Sequence, residues 1–387
     1  MAKPAGASCN LRCRYCYYLG SSERRKAPAS GIMSDETLET YIRQYIEGNP
    51  GPELTFFWHG GEPLLSGLDF YKKAVALEKK YCPEGLTVYN NIQTNGTLLN
   101  DEWCAFFKEE RFDVGLSIDG AGWLHDEYRI HGDGRGSYDE AVRGIALLKK
   151  HGILPDLLST VTLDSCRKPL NVYNALKSFH TGWVQFIPIV VKRGLSAAGE
   201  TLVTEESVTP EAYGRFLIAV FDEWASHDLG TTDVQLFSEI AGILAGNPSH
   251  LCMLSPVCGQ VAVLEWDGKV YSCDHFVDEA HCIGDIRETP LRELMELPRQ
   301  KAFGEAKSSG LPETCVKCPY LSLCNGGCLK DRFLPDGRYY LCEGLRRFFD
   351  HSVPVLKMIL EETKRGTSAG NVMAKVRSLL KKKRLEK

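Results

Sequence analysis

Cys9, Cys13 and Cys16 fall in CNLRCRYC with the spacing C-x3-C-x2-C. Three thiolates are one short of the four that complete a [4Fe–4S] cluster, so in such a cluster one iron stays open to an outside ligand and becomes a reactive position. Zinc is the alternative occupant, but a closed zinc site takes four ligands, commonly as two C-x2-C-like pairs, and no fourth cysteine lies close by. A second set lies downstream: Cys252, Cys258, Cys273, Cys282, Cys315, Cys318, Cys324, Cys328 and Cys342, with CVKCPYLSLCNGGC packing C-x2-C-x5-C-x3-C into one loop. Zinc-ribbon ligation competes with iron–sulfur ligation there.

Other stretches carry groups able to bind or to move protons. His59-Gly60-Gly61-Glu62-Pro63 follows an apolar run ending at Trp58. Its glycine pair lets backbone approach a ligand closely, although a ligand-free turn reads the same way. Asp274 directly follows Cys273 in YSCDHF. A carboxylate beside a cluster can accept a proton, while an Asp at a hairpin end more often serves as a turn or capping residue. Taken singly, Ser117 in LSIDG and Arg129 in HDEYR read as a turn residue and a surface charge.

The elements that must position these groups are legible as alternating patterns. Apolar, β-rich runs at 54–58, 86–94 and 114–118 are followed by helical periodicity at 68–80, 101–110 and 138–151, and the alternation continues through 157–161, 170–179 and 184–190. Strands separated by helices of this length imply right-handed crossovers and a parallel sheet, curled as a full or partial barrel, with the chemistry in the loops at the strand C-terminal ends. Amphipathic stretches at 210–227 and 234–245 lead into 261–273, where VLEWDGKVYSC predicts a hairpin turning at Asp267-Gly268. Between Cys252 and Cys342 regular structure is expected to be sparse, as in a module held together by metal ligation. The basic stretch 371–387 predicts a solvated amphipathic tail helix.

Of the 387 residues 43% are hydrophobic and 25% charged, a globular balance. Lys and Arg number 46 against 50 Asp and Glu, and the net charge of −4 gives no support to nucleic acid as a partner. No apolar run reaches the roughly 18 residues that would span a bilayer, and MAKPAGASC lacks the regions of a signal peptide. A cytoplasmic protein with no membrane association is expected, in which fifteen cysteines read as ligands rather than disulfides.

On CNLRCRYCYYL and WHGGEP together the sequence resembles the radical S-adenosylmethionine (SAM) enzymes, whose cysteine loop follows the first barrel strand. The resemblance implies an α/β fold with a partial (β/α)6 TIM-like barrel. In it the methionyl amine and carboxylate of SAM chelate the open iron, and reduction releases a 5′-deoxyadenosyl radical that takes a substrate hydrogen. It further implies SAM contacts from Tyr15, Gly60, Gly61, Glu62, Ser117, Arg129 and, in QFIPIV, Val190, where leucine is the expected residue. Only eight residues precede Cys9, so the first strand is expected to be cut short.

The downstream cysteines resemble the small iron–sulfur SPASM domain of radical enzymes that modify peptides. By that resemblance Cys252, Cys258, Cys273 and Cys328 ligate one auxiliary [4Fe–4S] cluster and Cys315, Cys318, Cys324 and Cys342 another, three clusters in all. Cys82, Cys104, Cys166 and Cys282 are left without a role, Cys104 in WCAFF reading as a buried core thiol.

The order of CNLRCRYCYYL, WHGGEP, IQTNGTLL, SIDG with HDEYR, QFIPIV, YSCDHF and CNGGC resembles the anaerobic sulfatase-maturating enzymes across nearly the whole chain. This implies oxidation of a cysteine or serine in a sulfatase to Cα-formylglycine, with Asp274 as the base. The implied partners are a sulfatase polypeptide bearing a Cys/Ser-X-Pro-X-Arg segment and an electron donor such as a flavodoxin or ferredoxin. The expected organisation is a radical SAM partial barrel over 1–230, a helical connector over 231–250, the SPASM domain over 251–345 and a C-terminal helical tail over 346–387. The rival readings are another SPASM peptide maturase forming a thioether or cross-link in a ribosomal peptide, an iron–sulfur electron carrier, and a zinc-stabilised binding module.

Overall fold

The computed structural model describes residues 1–16, 18, 31–49, 51–196 and 199–385. In chain order its strands are β1 (Ala2–Lys3), β2 (Glu53–Trp58), β3 (Thr87–Thr94), β4 (Phe112–Ser117), β5 (Asp156–Val161), β6 (Trp183–Pro188), β7 (Lys192–Leu195), β8 (Thr201–Val203), β9 (Asp233–Val234), β10 (Val263–Glu265), β11 (Lys269–Tyr271) and β12 (Cys282–Asp285). The chain packs as two compact units, one formed by 1–117, 125–156 and 257–306, the other by 118–124, 157–256 and 307–387.

In the first unit the strands lie in the order β12-β11-β10-β1-β2-β3-β4. β1 runs parallel to both β10 and β2, β2 pairs in parallel with β3 from Glu53↔Thr87 to Trp58↔Ile92, and β3 pairs in parallel with β4 from Asn90↔Phe112 to Thr94↔Leu116. β10 to β12 are antiparallel, and the hairpin turns at Asp267-Gly268 as expected. Helices α1 (Asp35–Glu47), α2 (Leu68–Tyr81), α3 (Asp101–Glu109) and α4 (Tyr138–Lys150) accompany these strands. The side chain of Ser34 accepts from Thr37 N–H to start α1, and that of Asn100 accepts from Trp103 N–H to start α3, each satisfying an orphan donor of the first turn. Trp58 from β2, Tyr71 from α2 and Trp103 from α3 meet edge to face, with ring centroids 5.7 and 5.6 Å apart, in the middle of this core.

The second unit holds β5, β6 and β9, of which β6 is parallel to both others, and the antiparallel ribbon β7–β8. Its longer helices are α5 (Pro169–Lys177), α6 (Pro210–His227), α7 (Gln235–Leu244), α8 (Cys342–Lys364) and α9 (Ala369–Leu385). Phe221 of α6, Phe237 of α7 and Phe348 of α8 pack with centroids 5.3 to 5.8 Å apart and close the apolar centre.

The chain is therefore of α/β class with parallel strands at its core. Residues 251–345 hold more helix than expected. Leu291–Glu296 and Pro298–Ser309 are helical, and the second is mostly polar, so its sequence gives little periodic signal. Gln300 from that helix donates to Gly259 O at 2.7 Å, tying it to the cysteine-bearing loop. Among the described residues no helix is long and apolar enough to cross a membrane.

A carboxyl group is buried on the α2 side of β2 and β3. Trp58 Nε1 donates to Asn90 Oδ1 at 2.6 Å, and Asn90 Nδ2 donates to Glu78 Oε2 at 2.8 Å. Glu78 Oε1 and the Tyr41 hydroxyl have no hydrogen-bond partner among the described residues. Burial pushes the Glu78 carboxyl up to about 8, against the opposing pull of Asn90; nearby Glu110 adds to the rise and Lys79 offsets it. A raised carboxyl pKa means that the folded state holds a proton the unfolded chain has lost, so stability is full below the ordinary value and falls as pH rises towards 8. Glu78→Gln keeps the acceptor for Asn90 and removes the ionisation. Its thermal midpoint is expected to exceed the parent's by a few degrees at pH 8 and to match it closely at pH 5, as scanning calorimetry at the two pH values would measure.

Candidate active site

Backbone pairing fixes the cysteine loop. Arg12 N–H donates to Ile130 O at 2.7 Å, Arg14 N–H donates to Tyr128 O at 2.9 Å, and Leu11 bridges His131, so Cys9 to Cys16 run antiparallel to the segment carrying Arg129. This brings together two of the SAM contacts expected from sequence: the Arg129 guanidinium lies over the Tyr15 ring at 5.6 Å from its centroid, and both residues are buried. A third, Ser117, ends β4 and accepts from Gln93 Nε2 at 3.1 Å. Gln93 reaches it over Gly115, where an added Cβ would stand 2.1 Å from Gln93 Oε1. Val190 belongs to the second unit, just past β6, and its carbonyl accepts from Lys330 Nζ at 3.1 Å.

The GGEP turn closes on the chain's own backbone. Gly61 N–H donates to Gly6 O and Glu62 N–H to Ser8 O, both at 2.8 Å, and a Cβ at Gly61 would sit 2.2 Å from Ser8 O. Only glycine allows the turn to press this closely on the residues leading into Cys9. The Glu62 side chain is fully buried. Its Oε1 accepts from Leu64 N–H at 3.0 Å and from the Thr94 hydroxyl at 2.7 Å, and its Oε2 accepts from Asn95 N–H at 2.8 Å. Burial pushes this carboxyl up to about 7, with the three donors pulling the other way. Its side chain thus clamps the end of β3 to the turn after β2.

The Cys9 thiol also receives hydrogen bonds, from Leu11 N–H at 3.3 Å and from Asn95 Nδ2 at 3.8 Å. Burial raises it to about 12, with the Leu11 N–H opposing. A thiolate here is costly unless a cation offsets it, and sulfurs that accept N–H donors are what an iron–sulfur centre uses.

Asp274 lies in the first unit beside β1. Its carboxylate forms an ion pair with Lys3, whose ammonium is fully buried, stands 3.5 Å from Glu265 and lies 4.6 Å from the centroid of the Tyr18 ring. Burial alone would raise the Asp274 carboxyl; the Lys3 ammonium, followed by His59 and His275, outweighs it and holds the group well below the ordinary carboxylate range. His59, the first residue of HGGEP, is half-buried, and the desolvation lowers its pKa; its Nδ1 faces Gly60 N–H at 2.8 Å, so the ring proton of the neutral form resides on Nε2.

None of the fifteen cysteines is in a disulfide. In the second unit Cys315, Cys318, Cys324 and Cys342 gather: Cys324 is an electrostatic neighbour of Cys315 and Cys342, Cys315 of Cys318, and Cys324 accepts from the backbone N–H groups of Gly326 and Gly327. Cys342 opens α8. Cys328 and Cys252 are neighbours in the same unit, and Lys307 Nζ holds the Cys252 carbonyl at 2.5 Å. Cys258 and Cys273 belong to the first unit. Among the described residues no three His, Cys, Asp or Glu side chains converge to hold a single metal ion. The donor set, thiols in loose groups served by N–H donors, suits iron–sulfur ligation. Of the unassigned cysteines, Cys104 is buried in α3, Cys82 donates to Leu86 O at 3.2 Å and Cys282 to Gly284 O at 3.8 Å, and burial raises Cys166 to about 12.

The radical SAM superfamily profile matches residues 4–163, and that of SPASM, an iron–sulfur cluster-binding domain, matches 252–319. A serine-type anaerobic sulfatase-maturating enzyme of Bacteroides thetaiotaomicron is 40% identical over 388 residues, 96% of this chain and 94% of that one. The chain belongs to the anaerobic sulfatase-maturating enzymes. A cysteine-type member from Clostridium perfringens is 31% identical over 366 residues, 92% of this chain and 96% of that one. The solved structure of native anSMEcpe with bound AdoMet and Kp18Cys peptide is similar with a TM-score of 0.84 at 31% identity, covering 93% of this chain and 98% of that one. This sulfatase-maturating family member is a radical SAM enzyme, and its parallel-strand core, SPASM segment and C-terminal helices agree with that assignment.

Two site-forming residues escape the sequence reading. Asn95 lies within the quoted IQTNGTLL motif but carries no role there, and Lys3 has no local pattern that marks it. Glu62 can be tested directly. Glu62→Gln places an amide N–H against one of three donors, and unfolding of the variant is expected to show a loss of about 1–3 kcal/mol.

Proposed function

We propose that this enzyme oxidises a cysteine or serine of a sulfatase segment, Cys/Ser-X-Pro-X-Arg, to Cα-formylglycine, and that Asp274 takes the proton of the substrate thiol or hydroxyl. The observation that carries the assignment of the base is the ion pair of the buried Lys3 with the half-buried Asp274, next in sequence to Cys273. An ammonium at this carboxylate secures its ionised, proton-accepting form. Loss of the Cβ hydrogen acidifies the neighbouring S–H or O–H, which lets a carboxylate of low basicity complete the transfer.

Three [4Fe–4S] clusters are assigned to Cys9, Cys13 and Cys16, to Cys252, Cys258, Cys273 and Cys328, and to Cys315, Cys318, Cys324 and Cys342. When bound, the first cluster and SAM supply the radical that removes the Cβ hydrogen. Ser117 and Arg129 have side chains suited to the methionine carboxylate, with Tyr15 stacked under Arg129 to hold it in place. Gly60, Gly61 and Val190 offer backbone or apolar contact, and Glu62, the remaining expected contact, holds its own turn by accepting from Thr94 and Asn95. The auxiliary clusters, fully ligated by cysteine, suit removal of the second electron. A flavodoxin or ferredoxin in the cytoplasm is the proposed reductant. In this reading 1–230 serves the radical chemistry and 251–345 the auxiliary clusters, joined by 231–250 and followed by the tail 346–387.

The test is anaerobic incubation of reconstituted, reduced enzyme with SAM and a Cys-X-Pro-X-Arg or Ser-X-Pro-X-Arg peptide, read by mass spectrometry. The expected product of the cysteine peptide is lighter by about 18 mass units. Asp274→Asn is expected to keep releasing 5′-deoxyadenosine while peptide oxidation drops roughly 100-fold or more. Release of 5′-deoxyadenosine with neither peptide changed would instead favour a cross-linking peptide maturase. Lys3→Met is expected to lower peptide oxidation and Lys3→Arg to recover much of it, measured in the same assay against 5′-deoxyadenosine release.

A further inference from the structure

The hydrogen bonds around Cys9 form a closed network whose polarity is determined. Asn95 Oδ1 accepts from Thr97 N–H at 3.0 Å and from the Thr97 hydroxyl at 2.7 Å. A backbone N–H can only donate, so the amide oxygen of Asn95 must face Thr97 and its Nδ2 must face the other way. On that side Nδ2 meets Asn10 Oδ1 at 2.9 Å and Cys9 Sγ at 3.8 Å, one partner for each of its two hydrogens. Asn10 is itself held by its Nδ2 donating to Thr97 Oγ1 at 2.7 Å, and the Thr97 carbonyl accepts from Arg143 at 2.8 Å. Glu62 Oε2 fixes the Asn95 backbone at 2.8 Å. Asn95 and Thr97 are buried, so no bulk water replaces these bonds.

We infer that Asn95 is a positioning residue that tunes the SAM-binding cluster, its side-chain N–H stabilising the sulfur of Cys9 when the cluster gains an electron. The inference rests on the reading of Cys9 as a cluster ligand. A donor aimed at a ligating sulfur favours the more negative, reduced form and raises the reduction potential, and outer-shell partners of this kind are a lever the protein has over the metal centre. Leu11 N–H, at 3.3 Å, supplies the other donor to this sulfur. Because Asn95 is oriented by Thr97 and positioned by Glu62, the turn after β2 and the end of β3 both act on the cluster through this one amide.

The test is an EPR-monitored redox titration of the full-length, three-cluster enzyme, following the reduced signal that changes on adding SAM. Asn95→Ala is expected to make the midpoint more negative, lowering the reduced-to-oxidised ratio at fixed potential about tenfold, equivalent to about 59 mV for one electron. Thr97→Val, which keeps the Asn95 side chain but removes the hydroxyl that helps orient it, is expected to shift the midpoint in the same direction by less, and it stands in if Asn95→Ala fails to load its cluster. Unchanged midpoints in variants that carry the cluster would overturn the inference. A parent enzyme with no SAM-sensitive iron–sulfur signal would instead refute the ligand assignment beneath it.

Discussion

The Glu62 carboxylate is where the first unit's site is joined. It is fully buried, and its three hydrogen-bond donors come from two strand ends: Leu64 in the turn after β2, and Thr94 and Asn95 at the end of β3. Parallel pairing brings β2 and β3 side by side, but pairing alone leaves the loops at their C-terminal ends free to splay. The carboxylate removes that freedom. The same turn leans on Gly6 and Ser8, so the approach to Cys9 is set by the same group that sets Asn95. An open metal position, as proposed at Cys9, Cys13 and Cys16, needs a rigid surrounding to bind one ligand in one geometry, and here the rigidity comes from hydrogen bonds that burial makes costly to break.

The second electrostatic feature is Lys3. Burying a lone ammonium is prohibitive, and burying one between two carboxylates is tolerated only if charge and geometry both match. Asp274 and Glu265 reach Lys3 because β10 pairs in parallel with β1, placing Glu265 across from Lys3, while the β10–β11 hairpin leads on to Cys273 and Asp274. Strand order therefore brings both carboxylates to this ammonium. A carboxylate held in this way is suited to accepting a proton from a substrate that becomes acidic only during the reaction.

Much of this was legible in the residues. The helices expected at 68–80 and 138–151 end within a residue of α2 and α4, because their apolar spacing is regular and long. The cysteine spacings and the order of short motifs identified the family across the chain. Helix α1 is not among the expected elements, although Ser34 as a cap and the spacing of Leu38, Tyr41, Ile42 and Ile46 announce it. What the sequence could not reveal are contacts that no local pattern encodes: Lys3 against Asp274, Asn95 against Cys9, Lys307 against Cys252. Each depends on strands or loops far apart in the chain meeting in three dimensions. Gly61 was legible as a close-approach residue, but only the structure shows that what it approaches is the Ser8 carbonyl.

The most direct test of the account is made in cells. A sulfatase whose target residue is cysteine, and one whose target is serine, would each be co-produced anaerobically with this enzyme, purified, and digested for mass spectrometry of the target peptide. The account predicts formylglycine at the target residue of at least one sulfatase, and none when Cys9, Cys13 and Cys16 are replaced by alanine. Both sulfatases keeping their cysteine or serine beside an enzyme that carries iron and turns over SAM would contradict it.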